Sequence, residues 1–269
     1  MSNARTRDIK KSLYHRQTSD KSQLFALDAG RETEFGELRM LPFLLIPGLN
    51  CDARVYAPSS ALLWQYGPVT VASTLDGEGV DGIASAILAT APPTFALAGF
   101  SMGGYLAFEI LRKAPERVRK LALIDTRAQA DSLESIELRR RRIALAQGGK
   151  FSLVVEQSFP DSVHPENISE SSLYSIHRAM AEANGPAAYV RHQQAIIGRP
   201  DSRPLLTAIS VPTAILVGEG DRITPPDDAR AMHEAISGSV LDVVPRAGHL
   251  ALLEQPERAG DVLKRWAES

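Results

Sequence analysis

One stretch restricts the architecture of this chain more than any other: Leu97-Ala98-Gly99-Phe100-Ser101-Met102-Gly103-Gly104. An apolar run from Thr94 to Ala98 leads into it and reads as a short buried strand. From Met102 to about Lys113 the pattern turns helical, with Leu106, Ile110 and Leu111 on one face. Strand, tight turn and helix in that order, with Gly99-x-Ser101-x-Gly103 at the corner, predict a serine held clear of a sheet on a strained bend. Glycine suits positions 99 and 103 because a side chain there would collide with the neighbouring strand or helix. Met102 opens the helix, so its N–H, at the positive end of the helix dipole, would face a developing oxyanion. The plainer reading of the same residues is a serine N-cap at an ordinary strand-to-helix turn.

The surrounding pattern favours a sheet that would hold such a corner. Leu41 to Ile46 is a continuous apolar run ending in Pro47-Gly48-Leu49-Asn50, a buried parallel strand followed by a tight loop. Val69 to Ser73 reads as the next strand and Val80 to Ala89 as a helix, which Pro92-Pro93 ends. After the serine helix comes a strand at Val118 to Ile124, closing on Asp125-Thr126. Strands alternating with helices imply right-handed crossovers and a mainly parallel sheet covered on both faces.

From Arg127 to about Leu206 the alternation stops and the text is almost wholly helical, divided at Gly148-Gly149, Pro160-Asp161 and Gly185-Pro186. It resumes with strands at Thr213 to Val217 and Val240 to Val244 and helices at Pro226 to Ile236 and Pro256 to Trp266. The expected organisation is an N-terminal arm over 1–23, an α/β core over 24–126 and 207–269, and a helical cap over 127–206. Residues 24–37 are expected to add a short strand or hairpin. The cap would lie over the carboxyl edge of the sheet, where open α/β sheets place their sites.

Two further residues fall at strand ends on that edge. Asp221 follows the strand at Val217, in Gly218-Glu219-Gly220-Asp221-Arg222-Ile223-Thr224-Pro225. His249 follows the strand at Val244, in Ala247-Gly248-His249-Leu250. A serine hydroxyl near neutral pH needs a base within hydrogen-bond reach, and the base needs a third group to orient it. Asp125, at the end of its own strand, is an alternative to Asp221 as that third group.

These residues resemble the α/β-hydrolase superfamily. The likeness runs from Leu41 to Trp266 and rests on the Gly-Phe-Ser-Met-Gly-Gly corner, the Gly-x-Gly-Asp-x-x-x-Pro loop and the Gly-His loop with Leu-Leu-Glu-Gln-Pro after it. The resemblance implies a mainly parallel, eight-stranded sheet with a helical cap inserted after strand six. It implies Ser101 as nucleophile, His249 as base and then acid, and Asp221 as the orienting carboxylate. The backbone N–H groups of Leu49 and Met102 would form the oxyanion hole, although Pro47 stands where the family commonly has histidine. The implied activity is that of a serine hydrolase on a small, partly apolar ester. A carbon–carbon bond hydrolase acting on ring-cleavage dienoates, or a slow-turnover ligand receptor on the same fold, are the alternatives.

Composition narrows the remaining classes. With 30 basic against 32 acidic residues, nothing global points to nucleic acid or an anionic membrane surface. The single cysteine, Cys51, excludes an internal disulfide and suits a reducing compartment, and no run approaches the length of a membrane span. A cytoplasmic monomer or homodimer without cofactor or metal is expected, since His164, His177 and His192 lack metal-ligand spacing. The run Arg139 to Arg142 reads either as a solvated helix face or as an anion-binding feature of the cap.

Overall fold

The computed structural model describes residues 40–269. The expected arm over 1–23 and the strand or hairpin in 24–37 lie outside those residues. Six strands form one sheet in the order β2-β1-β3-β4-β5-β6, and every pairing is parallel. They are β1 (Phe43–Ile46), β2 (Val69–Val71), β3 (Phe95–Phe100), β4 (Val118–Ile124), β5 (Thr213–Gly218) and β6 (Val240–Val244). β3 and β5 are buried along their whole length, which explains their unbroken apolar runs.

Both sheet faces are covered. Leu44, Ile46, Leu97, Leu121 and Leu123 point to one face, under α2 (Gly79–Thr90) and α3 (Met102–Lys113). Phe43, Leu45, Ala96, Ala98 and Ala122 point to the other, where α10 (Pro256–Glu268) brings Val262, Leu263 and Trp266. The alternation has period two, as the pleat requires. The small side chains of Ala96, Ala98 and Ala122 let that second layer approach the middle of the sheet. Phe43 and Trp266 meet edge to face with ring centroids 5.5 Å apart.

Helix α1 (Ala57–Leu63), after the first strand, has no counterpart in the periodicity read from the sequence. It is only seven residues long, and Pro58 stands in its first turn. Between β4 and β5 the chain forms α4 (Leu133–Leu145), α5 (Phe151–Ser162), α6 (Ser171–Ile197) and the short α7 (Arg203–Leu206), and α8 (Pro226–Ala235) links β5 to β6. α6 breaks at Gly185, whose φ of 77° leaves the helical region where Gly185-Pro186 had predicted a boundary. The helical segment thus follows the fourth described strand. Strand order reverses between β1 and β3: the chain leaves β1 toward β2 on one side and returns to β3 on the other. That switch point is where an open parallel sheet opens a crevice at its carboxyl edge.

Candidate active site

Ser101 follows the last residue of β3 with φ 53° and ψ −115°, a left-handed conformation that a β-substituted residue adopts only under constraint. Its N–H donates to the Ile124 carbonyl at 2.9 Å, and its own carbonyl accepts from Gly104 N–H at 2.9 Å and Thr126 Oγ1 at 2.8 Å. The glycines around it are sterically required. A Cβ on Gly103 would overlap the Ile46 carbonyl, one on Gly99 the backbone of Gly103, and one on Gly104 the Thr126 side chain.

His249 sits on the loop after β6, buried, with its ring 5.4 Å from that of Phe100. Its Nε2 lies 2.8 Å from Ser101 Oγ, and its Nδ1 lies 2.7 Å from Asp221 Oδ2. The structure therefore brings the three residues, widely separated in sequence, into one hydrogen-bonded chain. The loop is pinned from below. Glu254, in α9 (Ala251–Glu254), accepts from Gly248 N–H at 2.8 Å and from His164 N–H at 2.7 Å, while Leu250 N–H donates to Ser162 O at 2.9 Å. The acid loop is tied to it by Gly220 N–H, which donates to Ala247 O at 2.8 Å.

Asp221 is held from four directions. Besides His249 it accepts from Ile223 N–H (2.8 Å), Thr224 N–H (2.9 Å) and Thr224 Oγ1 (2.7 Å). Burial works to raise its carboxyl, but the adjacent imidazole and the Thr224 bonds outweigh that and hold it below the usual carboxylate range. The role of Thr224 was missed in the sequence, although an aspartate three residues before a threonine is the spacing of a side-chain-to-backbone turn.

Asp125 is in the opposite state. It is fully buried, with φ 43°, and Oδ1 accepts from Gly218 N–H at 2.8 Å, while no described group pairs with Oδ2. Burial and the nearby Asp221 push its carboxyl well above the ordinary value. Its hydrogen bond goes to the strand end, whereas Asp221 is the carboxylate joined to His249.

Leu49, on the loop after β1, lines the same cavity as Ser101, and Met102, the residue after Ser101, opens α3. The turn at Gly48 closes with Cys51 N–H donating to Gly48 O at 3.1 Å, and Asn50 takes φ 59° at its tip. Among the described residues, neither the Leu49 nor the Met102 N–H meets a protein acceptor. Cys51 is buried and its thiol is pushed up to about 12, chiefly by desolvation, so it stays a neutral apolar side chain.

Above Ser101 lies a cavity of about 340 Å³ whose far wall comes from the helical segment, through residues such as Arg139, Ser158, His177 and Gln193. The run Arg139 to Arg142 divides there. Arg139 and Arg142, one turn apart, line the cavity, while Arg140 and Arg141 are exposed. Among the described residues no group of histidine, cysteine and carboxylate side chains is arranged to hold a metal, and no helix is long and apolar enough to cross a membrane.

Comparison with known proteins gives concordant results. A family model described as the alpha/beta hydrolase family matches residues 35–261. A thermophilic esterase from Thermogutta terrifontis, solved with malate bound, superposes with a TM-score of 0.77 at 31% identity, covering 85% of this chain and 89% of that one. A pimeloyl-[acyl-carrier protein] methyl ester esterase of Neisseria meningitidis is 24% identical over 196 residues, which is 70% of this chain and 75% of that protein. The enol-lactonase of Burkholderia xenovorans LB400 has the same fold, with a TM-score of 0.75 at 19% identity over 85% of this chain and 92% of its own.

Proposed function

The chain belongs to the alpha/beta hydrolase family, and from that premise we propose that it is a serine hydrolase cleaving an ester or related acyl bond of a small, partly apolar substrate. The observation behind this reading is the relay from Ser101 Oγ to His249 Nε2 (2.8 Å) and from His249 Nδ1 to Asp221 Oδ2 (2.7 Å). Similarity to an esterase at 31% identity supports the same class.

In this mechanism Ser101 Oγ attacks the acyl carbon as His249 Nε2 takes its proton. Asp221 keeps Nδ1 protonated and stabilises the imidazolium that forms. The N–H groups of Leu49 and Met102 hold the oxyanion, an interaction worth roughly 3–4 kcal/mol of barrier per donor in such sites. His249 then protonates the leaving alcohol and an acyl-Ser101 ester remains. Water, deprotonated by the same imidazole, attacks that ester and releases the acid. The helices over 127–206 act as a cap that shapes the acyl pocket.

Two measurements test this together: covalent labelling by a fluorophosphonate probe and steady-state hydrolysis of short-chain p-nitrophenyl esters. The native chain is expected to do both and Ser101→Ala neither, with an unchanged circular dichroism spectrum. Turnover that survives in Ser101→Ala overturns the assignment. Labelling without turnover replaces it with a ligand-binding role.

A further inference from the structure

The cavity over Ser101 holds more positive charge than acyl transfer uses. Arg127, Arg139, Arg142 and Arg222 all line it, against one lining carboxylate, Asp161, which is half exposed. Two of the four have partners that fix them. Arg139 bonds Asp131 at 2.5 Å and Gln193 Oε1 at 2.8 Å, and Arg127 donates from Nη2 to Ile223 O at 2.7 Å. The other two do not. Arg142 has only Asp161, at 4.0 Å, and Arg222, on the exposed rim of the cavity, makes no ion pair or hydrogen bond among the described residues. Arg127 Nε is in addition buried without an acceptor.

Unmatched guanidinium groups around a partly desolvated cavity repel one another, and a buried N–H without an acceptor costs free energy. An anion seated between Arg142 and Arg222 relieves that repulsion. The guanidinium fork matches a carboxylate in two parallel hydrogen bonds, which favours a planar oxyanion over a point charge. Position adds to this. Arg222 directly follows Asp221 on the acid loop and Arg142 comes from α4, so the two cations stand on different elements around the same volume.

Resting on the serine-hydrolase reading, we propose that the substrate carries a carboxylate near its scissile acyl bond, received by Arg142 and Arg222. The substrate class is then a monoester of a small dicarboxylic acid, or a small ester with a carboxylate on its alcohol side, rather than a neutral fatty ester. A volume of about 340 Å³ suits a molecule of that size.

The test compares p-nitrophenyl hemiglutarate with p-nitrophenyl pentanoate, which has the same chain length and no charge, and carboxyphenyl butyrate with phenyl butyrate. The anionic member of at least one pair is expected to have kcat/KM about tenfold higher, a preference that shrinks as salt is added. In Arg142→Gln and Arg222→Gln the anionic-to-neutral ratio should fall toward one. Equal or lower kcat/KM for both anionic esters, or a ratio that neither substitution changes, overturns the proposal. Calorimetric binding of glutarate to Ser101→Ala separates the two readings. Glutarate binding that weakens in the arginine variants, with no ester hydrolysed by the native chain, sinks the hydrolase assignment and leaves the anion site standing. Hydrolysis of neutral esters without glutarate binding does the reverse.

Discussion

Asp125 and Asp221 stand at the ends of neighbouring strands, both buried, and differ in how many hydrogen bonds they accept. Asp221 takes one from each of Ile223 N–H, Thr224 N–H, Thr224 Oγ1 and His249, whereas Asp125 takes one from Gly218 N–H and leaves Oδ2 bare. Two like charges so placed do not both ionise easily, and the better-solvated carboxyl keeps its charge. The pair therefore divides into an ionised acid joined to the imidazole and a carboxyl that retains its proton above the usual range.

That division predicts unequal effects of the same substitution. Asp221→Asn should lower kcat by roughly 10⁴-fold, because the amide cannot hold the protonated Nδ1 tautomer. Asp125 is not hydrogen-bonded to His249, so Asp125→Asn should change kcat by less than about tenfold. Asparagine kinetics in the reverse order would move the orienting role to Asp125.

The raised Asp125 carboxyl also gives stability a pH dependence. Unfolded, the group ionises near pH 4, while folded it keeps its proton to higher pH, so above about pH 4 the unfolded state binds fewer protons. Stability is therefore unaffected by this group below that pH and is progressively reduced by it as pH rises toward the folded value. Asp125→Asn should lose that reduction. Its melting temperature relative to the native chain should climb between pH 4 and neutrality, and a constant difference across that range would refute the account.

Thr224 places the acid. Its hydroxyl, fully buried, donates to Asp221 Oδ2 at 2.7 Å and lies 3.3 Å from His249 Nδ1. Thr224→Val keeps the volume but removes the donor, at a cost of about 1–3 kcal/mol for a buried carboxylate acceptor. A kcat reduced about tenfold with KM little changed is expected, and Thr224→Ser should restore most of it. Loss of stability with unaltered kcat would make Thr224 purely structural.

Much of this arrangement was legible in the residues because the chemistry and the backbone constrain the same positions. The Ser101 corner needs Gly99 and Gly103 for steric reasons, so the site announces itself through glycine spacing as well as through the serine. β4 and β6 begin and end at the residues expected, since Val118 to Ile124 and Val240 to Val244 are bounded by turn-forming residues. α1 leaves no periodic signal in the sequence, because one short helix after a tight loop has too few turns to show a period. Arg139 to Arg142 could not be divided from sequence, because which of four successive arginines faces a cavity depends on how α4 is rotated against α6. Thr224 and Glu254 act by hydrogen bonds to groups that the fold brings together, and such bonds leave no periodic signal.

The glycine argument yields its own prediction. In Gly103→Ala the new methyl would meet the Ile46 carbonyl, which is backbone of a buried strand and has no room to retreat. Overpacking of this kind commonly costs 1–3 kcal/mol, and more where backbone must shift. The variant should unfold at clearly lower denaturant concentration and lose probe labelling. Gly148→Ala, where an added Cβ meets nothing within 4 Å, is the control that should fold normally.

The wall of the cavity depends on one carboxylate. Asp131, with no exposed side-chain surface, accepts from Arg199 Nη2 at 2.9 Å and from Arg139 Nε at 2.5 Å. Arg199 is itself buried and lies over the Tyr105 ring, 4.1 Å from its centroid, and Tyr105 lines the cavity. Burial opposes ionisation of Asp131, but the two guanidinium groups prevail and hold its carboxyl below the ordinary value. Asp131→Asn leaves Arg199 charged and buried without a counter-ion, a defect that typically costs 3–5 kcal/mol. Because the folded group ionises more readily than the unfolded one, its contribution is present above about pH 4 and disappears as pH falls through the lower folded value. Urea titrations of the native chain and Asp131→Asn should differ most at neutral pH and converge in acid. A gap that persists unchanged below pH 3 would mean that the lost stability comes from packing rather than from charge.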